Sequence, residues 1–207
     1  MKYIGYVVIS IIMLCEFSLS QNATIKEIKQ KFRTYEFSDP SPIARMNNIY
    51  PYFRFDGFTN KPFDKEWKVV KLENPYIEVY ITPEIGGKIW GAVEKSTGFP
   101  FIYFNKTVKF RDIAMRGPWT SGGIEFNFGD IGHTPATATP VNYLLKENKD
   151  GSVSCFVSAI DLPSRTTWVV EIKLEKDKAY FETRSFWYNS TEYNTSLYTW
   201  NNGAINS

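Results

Sequence analysis

The sequence predicts an all-β sandwich, and three observations carry the prediction. Apolar residues alternate with polar ones in one short run after another, the period at which a strand shows a single face to a core. Gly, Pro and Asn-Pro signals separate these runs at short intervals. One segment alone, Thr24–Arg33, approaches helical spacing, so neither a bundle nor alternating β and α units can be built from this chain.

In chain order, Lys2 precedes an apolar run from Tyr3 to Phe17, and Ser18-Leu19-Ser20 follows with small residues where a signal peptidase needs them. Residues 1–20 therefore read as a leader cut before Gln21, and residues 21–207 as a β-sandwich domain that is secreted or periplasmic. The apolar run is too short to be a membrane span. In Thr24–Arg33, Ile25, Ile28 and Phe32 are spaced as on a helix, but Tyr35-Glu36-Phe37 returns to alternation, which counts against one. Asp39-Pro40-Ser41-Pro42 and Tyr50-Pro51-Tyr52 are breakers. Extended runs follow at Trp67–Leu72, Tyr76–Ile81, Lys88–Val93, Phe101–Phe104, Ile124–Phe128 and Val153–Ile160. Asn74-Pro75 opens the second of these and Pro83 closes it. Thr166–Leu174 and Ala179–Tyr188, separated by Glu175-Lys176-Asp177-Lys178, form the clearest antiparallel hairpin. Tyr198–Trp200 begins one more strand. The chain then stops at Asn201–Ser207 without a charged or Gly/Ser tail, so the expectation is a domain truncated at its C-terminus.

Composition narrows the function classes. Lys and Arg number 24 against 22 Asp and Glu, a net charge of +2, and no basic stripe argues for nucleic acid. Loss of the leader removes Cys15 and leaves Cys155, so neither an intramolecular disulfide nor a cysteine zinc cage is possible. A single histidine excludes a polyhistidine zinc site, while carboxylates could still hold calcium; no other cofactor is expected. There is no Gly-x-Ser-x-Gly elbow, phosphate loop or dinucleotide fingerprint. Aromatic content is 17%.

Phe110–Pro140 is the span in which chemistry concentrates. It holds Gly117, Gly122, Gly123, Gly129 and Gly132, together with Arg111, Arg116, Asp112, Glu125, Asp130, Trp119 and His133. So many glycines suit a backbone that must turn sharply or come close to a ligand. Alternation through Ile124–Phe128 places Glu125 with Gly123 and Asn127, away from Ile124, Phe126 and Phe128. A carboxylate on an aromatic face suits a general acid or base; the alternatives are a solvated residue or a partner for Arg116. His133, held between Gly132 and Thr134-Pro135, is a second catalytic candidate or a structural hydrogen bond. Arg111 and Arg116 could fork onto a carboxylate or sugar acid, or pair with Asp112 or Glu125. Trp119, with Trp90 and Trp200, offers flat faces for a sugar ring, or belongs to the core. Pro83–Trp90 is a turn and strand that could line the same face.

Three segments resemble a known family: Glu84-Ile85-Gly86-Gly87-Lys88-Ile89-Trp90, the stretch from Lys109 to Gly129, and Gly132-His133-Thr134-Pro135. The family is the secreted bacterial galactose-mutarotase-like domain family of poorly characterised function, often followed by tetratricopeptide repeats. The resemblance runs from Tyr50 to Ile205. It implies a β-supersandwich, incomplete here at the C-terminus, and a role in polysaccharide breakdown. Aldose 1-epimerases of that fold pair a histidine acid with a glutamate base that lies late in the chain. Here Glu125 precedes His133, so that pair is not carried over.

The expectation is thus a glycoside hydrolase acting on polysaccharide-derived oligosaccharides in a concave groove. Glu125 and His133 are the catalytic candidates, and Asp130 is a weak second acid. Arg116, Trp119, Asn127, Arg111 and Trp90 are the substrate-binding candidates. The alternatives are a non-catalytic carbohydrate-binding module and an aldose 1-epimerase.

Overall fold

The computed structural model describes residues 22–39, 53–54, 56–112, 117–129, 133 and 135–207. The leader expected over residues 1–20 lies outside them. The strands are β1 (Thr24–Tyr35), β2 (Phe63–Glu73), β3 (Ile77–Thr82), β4 (Lys88–Glu94), β5 (Thr107–Lys109), β6 (Arg111–Asp112), β7 (Pro118–Trp119), β8 (Ile124–Phe128), β9 (Asn142–Glu147), β10 (Val153–Asp161), β11 (Thr166–Leu174), β12 (Phe181–Asn189) and β13 (Thr199–Gly203). Among the described residues the one helical element is a 3-10 turn at Pro135–Ala138. The all-β expectation is met.

Two sheets make the sandwich. A seven-stranded sheet runs β13-β8-β4-β3-β2-β1-β5, and a four-stranded sheet runs β12-β11-β10-β9. Neighbours are antiparallel, apart from the short parallel pairing of β5 with β1. The expected hairpin is β11 and β12, paired from Thr166↔Asn189 to Leu174↔Phe181. Thr24–Arg33 is strand, as its return to alternation favours. Phe101–Phe104 is not a strand: Ile102 makes isolated bridges to Ala92 and Ile205, and its neighbours do not continue the ladder.

The period-2 pattern explains how the layers meet. Ile77, Val79 and Ile81 of β3 and Phe126 and Phe128 of β8 are buried against Cys155, Val157, Trp168, Val170 and Ile172 from the other sheet. Phe128 stacks on Trp168 with ring centroids 5.0 Å apart and planes at 10°. The opposite face of the seven-stranded sheet carries a second cluster, in which Phe32, Trp67, Val69, Ile85, Trp90, Val108 and Phe110 pack together. β8 extends this second face. It pairs with β4 through Ile89↔Ile124 and with β13 through Trp200↔Asn127 and Asn202↔Glu125. Because directly opposed residues share a face, Glu125 and Asn127 stand on the same side as Trp200 and Asn202, and Lys88 and Trp90 join them from β4.

Candidate functional site

Two consecutive glycines deliver the site. Gly122 and Gly123 have φ of 84° and 69°, a left-handed backbone that side-chain-bearing residues adopt only at a cost. At Gly123 a Cβ would also run into the carbonyl oxygen of Ile89. The glycine therefore lets β8 close onto β4, and the next residue but one, Glu125, enters the second face beside Lys88.

Glu125 is 2% exposed. A buried carboxylate must be hydrogen-bonded, and each oxygen has its own donor. Trp119 Nε1 donates to Oε2 at 2.5 Å, and His133 Nδ1 lies 2.6 Å from Oε1. With Glu125 ionised, Nδ1 carries the proton and donates it. The imidazole is also gripped edge-on by two indoles, Trp200 at 4.8 Å and 74° and Trp119 at 6.1 Å and 70°. Its other nitrogen, Nε2, has no hydrogen-bond partner among the described residues, and its side chain keeps 16% of its surface exposed against 3% for Glu125. The more accessible member of the pair is therefore the histidine.

Lys88 lies 2% exposed on the same face. Its Nζ donates to the carbonyl oxygen of Thr120 at 2.9 Å and to Thr120 Oγ1 at 3.3 Å. It also sits 5.6 Å from the Trp90 ring centroid and 6.0 Å from that of Trp119. Burial pushes the ammonium down to about 8, an effect the charge of Glu125 partly offsets. A cation, a carboxylate and an imidazole thus share one aromatic-walled patch, an arrangement able to bind a polar ring and transfer protons to or from it.

Of the residues expected from the sequence, Glu125, His133 and Trp119 are brought into contact. Asn127 is fully buried on the same face, across from Trp200. Trp90 needs correction as a stacking platform. It is 1% exposed, donates through Nε1 to the Asn105 carbonyl at 2.8 Å and packs on Phe32, so its ring is core beneath Lys88. Arg111 is directed elsewhere: its guanidinium donates to the Phe110 carbonyl and to Asn60 Oδ1, and lies 4.8 Å from the Phe58 ring centroid. Arg116 and Asp130 fall outside the described residues. Sequence reasoning missed Lys88 and its anchor Thr120. The available signal was alternation through Lys88-Ile89-Trp90, which puts the lysine on the face of Trp90. No three His, Cys, Asp or Glu side chains among the described residues come together as a metal ion would require, and no helix there is long and apolar enough to cross a membrane.

Residues 44–207 match the family described as a domain of unknown function, DUF5107, and the chain belongs to that family. The fold is similar to a solved TPR-domain containing protein from Parabacteroides distasonis, with a TM-score of 0.78 at 25% identity. The alignment covers 89% of this chain and 32% of the other, so this chain spans about a third of that protein's length.

Proposed function

We propose, taking membership of that family as the premise, that the face bearing Glu125 binds carbohydrate and acts on it by general acid–base chemistry, with glycoside hydrolysis of exported-polysaccharide fragments as the leading reaction. The observation that carries the reading is the Glu125–His133 contact of 2.6 Å, closed on the other side by Trp119. The pair divides the labour. Glu125, buried with both oxygens engaged, fixes the imidazole's tautomer and orientation, and His133 Nε2 exchanges a proton with a sugar oxygen. The edge of Trp119 beside the pair supports an apolar sugar face. The resemblance of the glycine-rich span to galactose-mutarotase-like domains supports the sugar assignment.

One observation favours aldose 1-epimerisation as a second reading. Hydrolysis ordinarily uses two carboxylates flanking the bond, and Glu125 is the one carboxylate among the described residues at this patch. Ring opening of a free sugar needs a single base and a single acid.

The test is turnover by the full-length protein and its Glu125→Gln variant on a panel of oligosaccharides, with optical rotation of fresh glucose and galactose followed in parallel. The variant is expected to fold and to lose about 10²–10⁴ in kcat, because the imidazole that transfers the proton loses the carboxylate that fixes its tautomer. Wild-type turnover in the variant would refute the assignment. Sugar binding without any turnover in either protein would leave a binding module in its place.

A further inference from the structure

Among the described residues, the patch around Glu125 holds an indole N–H without an acceptor and an ammonium without a directly bonded carboxylate, and these bear on what it binds. Among the described residues Glu125 is the acidic group there, and both of its oxygens are taken by Trp119 and His133. Two donors on the same face lack a matching acceptor. The Lys88 ammonium, 2% exposed, has only the neutral oxygens of Thr120 as hydrogen-bond partners among the described residues. Trp200 Nε1 is buried with no acceptor among the described residues, although its ring is fixed against His133 at 4.8 Å. A buried N–H without an acceptor costs about as much as a lost hydrogen bond. A buried ammonium is paid for in full only by an opposite charge. Sugar hydroxyls would satisfy the indole but not the cation. A carboxylate on the ligand would meet both needs.

We propose, resting on the carbohydrate reading above, that this site takes an acidic sugar, a uronic acid residue whose carboxylate accepts from Trp200 Nε1 and lies in the field of the Lys88 ammonium. Of the two arginines expected to read an acid, Arg111 is committed to Asn60 and Phe58, and Arg116 lies outside the described residues. Among the described residues, the groups placed to recognise it stand on the sheet itself: Lys88 on β4 and Trp200 on β13, the two neighbours of β8. In this arrangement His133 sits between the acidic group and Glu125, so the carboxylate orients the sugar ring against the proton-transfer nitrogen.

The experiment is isothermal titration of the full-length protein with a panel of glucuronic, galacturonic and mannuronic acid oligosaccharides. The methyl esters and the corresponding neutral oligosaccharides are titrated alongside. For at least one sugar, the free acid is expected to bind about tenfold or more tightly than its ester, the effect of one charge-assisted contact. Lys88→Met and Trp200→Phe should each drive the acid-to-ester ratio toward one, with thermal melts confirming that each variant folds. Equal affinity for acid and ester throughout, or an acid preference kept in both variants, would overturn the inference while leaving the carbohydrate reading intact. Failure of acids, esters and neutral sugars alike to bind would overturn both.

Discussion

Replacing Lys88 with Met removes the buried cation while keeping the volume of the side chain. Burial pushes the Lys88 ammonium down to about 8 in the folded protein, against the ordinary 10.5 of a solvated lysine. At about 1.36 kcal/mol per pH unit, that interval corresponds to a cost of about 3 kcal/mol for holding the ammonium out of water at neutral pH. Between pH 8 and 10.5 the unfolded chain still binds this proton and the folded chain has released it, so stability from this group rises with pH by the same amount. Below pH 8 both states are protonated and the cost is carried in full. Methionine does not titrate. The stability of Lys88→Met relative to wild type should therefore be highest below pH 8 and fall by about 3 kcal/mol toward pH 10.5. Cys155 and Tyr80, both pushed up to about 12, titrate nearby with the opposite sign, but they are common to both proteins and cancel in the difference. The assay is urea unfolding of the two proteins at pH 7, 8, 9 and 10, followed by tryptophan fluorescence. A difference that stays flat across this range would refute the buried, underpaired cation on which the electrostatics of the site rest.

Gly123→Ala should destabilise the fold by more than about 2 kcal/mol, because a left-handed alanine is strained and its methyl would collide with the Ile89 carbonyl; a wild-type urea midpoint would show that β8 does not close onto β4 there. Cys155 is fully buried and its thiol is pushed up to about 12. In Cys15→Ser protein it should react with an aromatic disulfide reagent at pH 8 only as fast as the domain unfolds, and rapid stoichiometric labelling in native buffer would place it outside the core.

Particular residues show how much of this was legible in the sequence. The face of Glu125 followed from Ile124-Glu125-Phe126-Asn127-Phe128, because a strand with one dry face advertises its own register. The hairpin of β11 and β12 was legible for the same reason. β1 was harder: its outer neighbour β5 is only three residues long, so charged residues sit on both of its faces and blur the alternation. β9 is an edge strand, and Asn142, Leu144, Lys146 and Glu147 are all exposed, so its sequence carries little pattern. Phe101–Phe104 has strand-like composition but only a bridge at Ile102, since composition does not supply a hydrogen-bonding neighbour. Within the site, Lys88 was overlooked because lysine is rarely buried, and only the fold shows that Thr120 comes to meet it. The position of Arg111 was not legible either, for Asn60 and Phe58 are far from it along the chain.

The proposed chemistry requires Glu125 to hold His133 so that Nε2 faces the sugar, and the chain's single histidine makes that directly observable. Long-range ¹H–¹⁵N correlation of the imidazole, at a pH where it is neutral, should show the proton on Nδ1 in wild type. The tautomer should become mixed in Glu125→Gln, and Nε2 should be the nitrogen that shifts when an oligosaccharide binds. A wild-type imidazole protonated on Nε2, or a spectrum indifferent to both the substitution and the sugar, would contradict it.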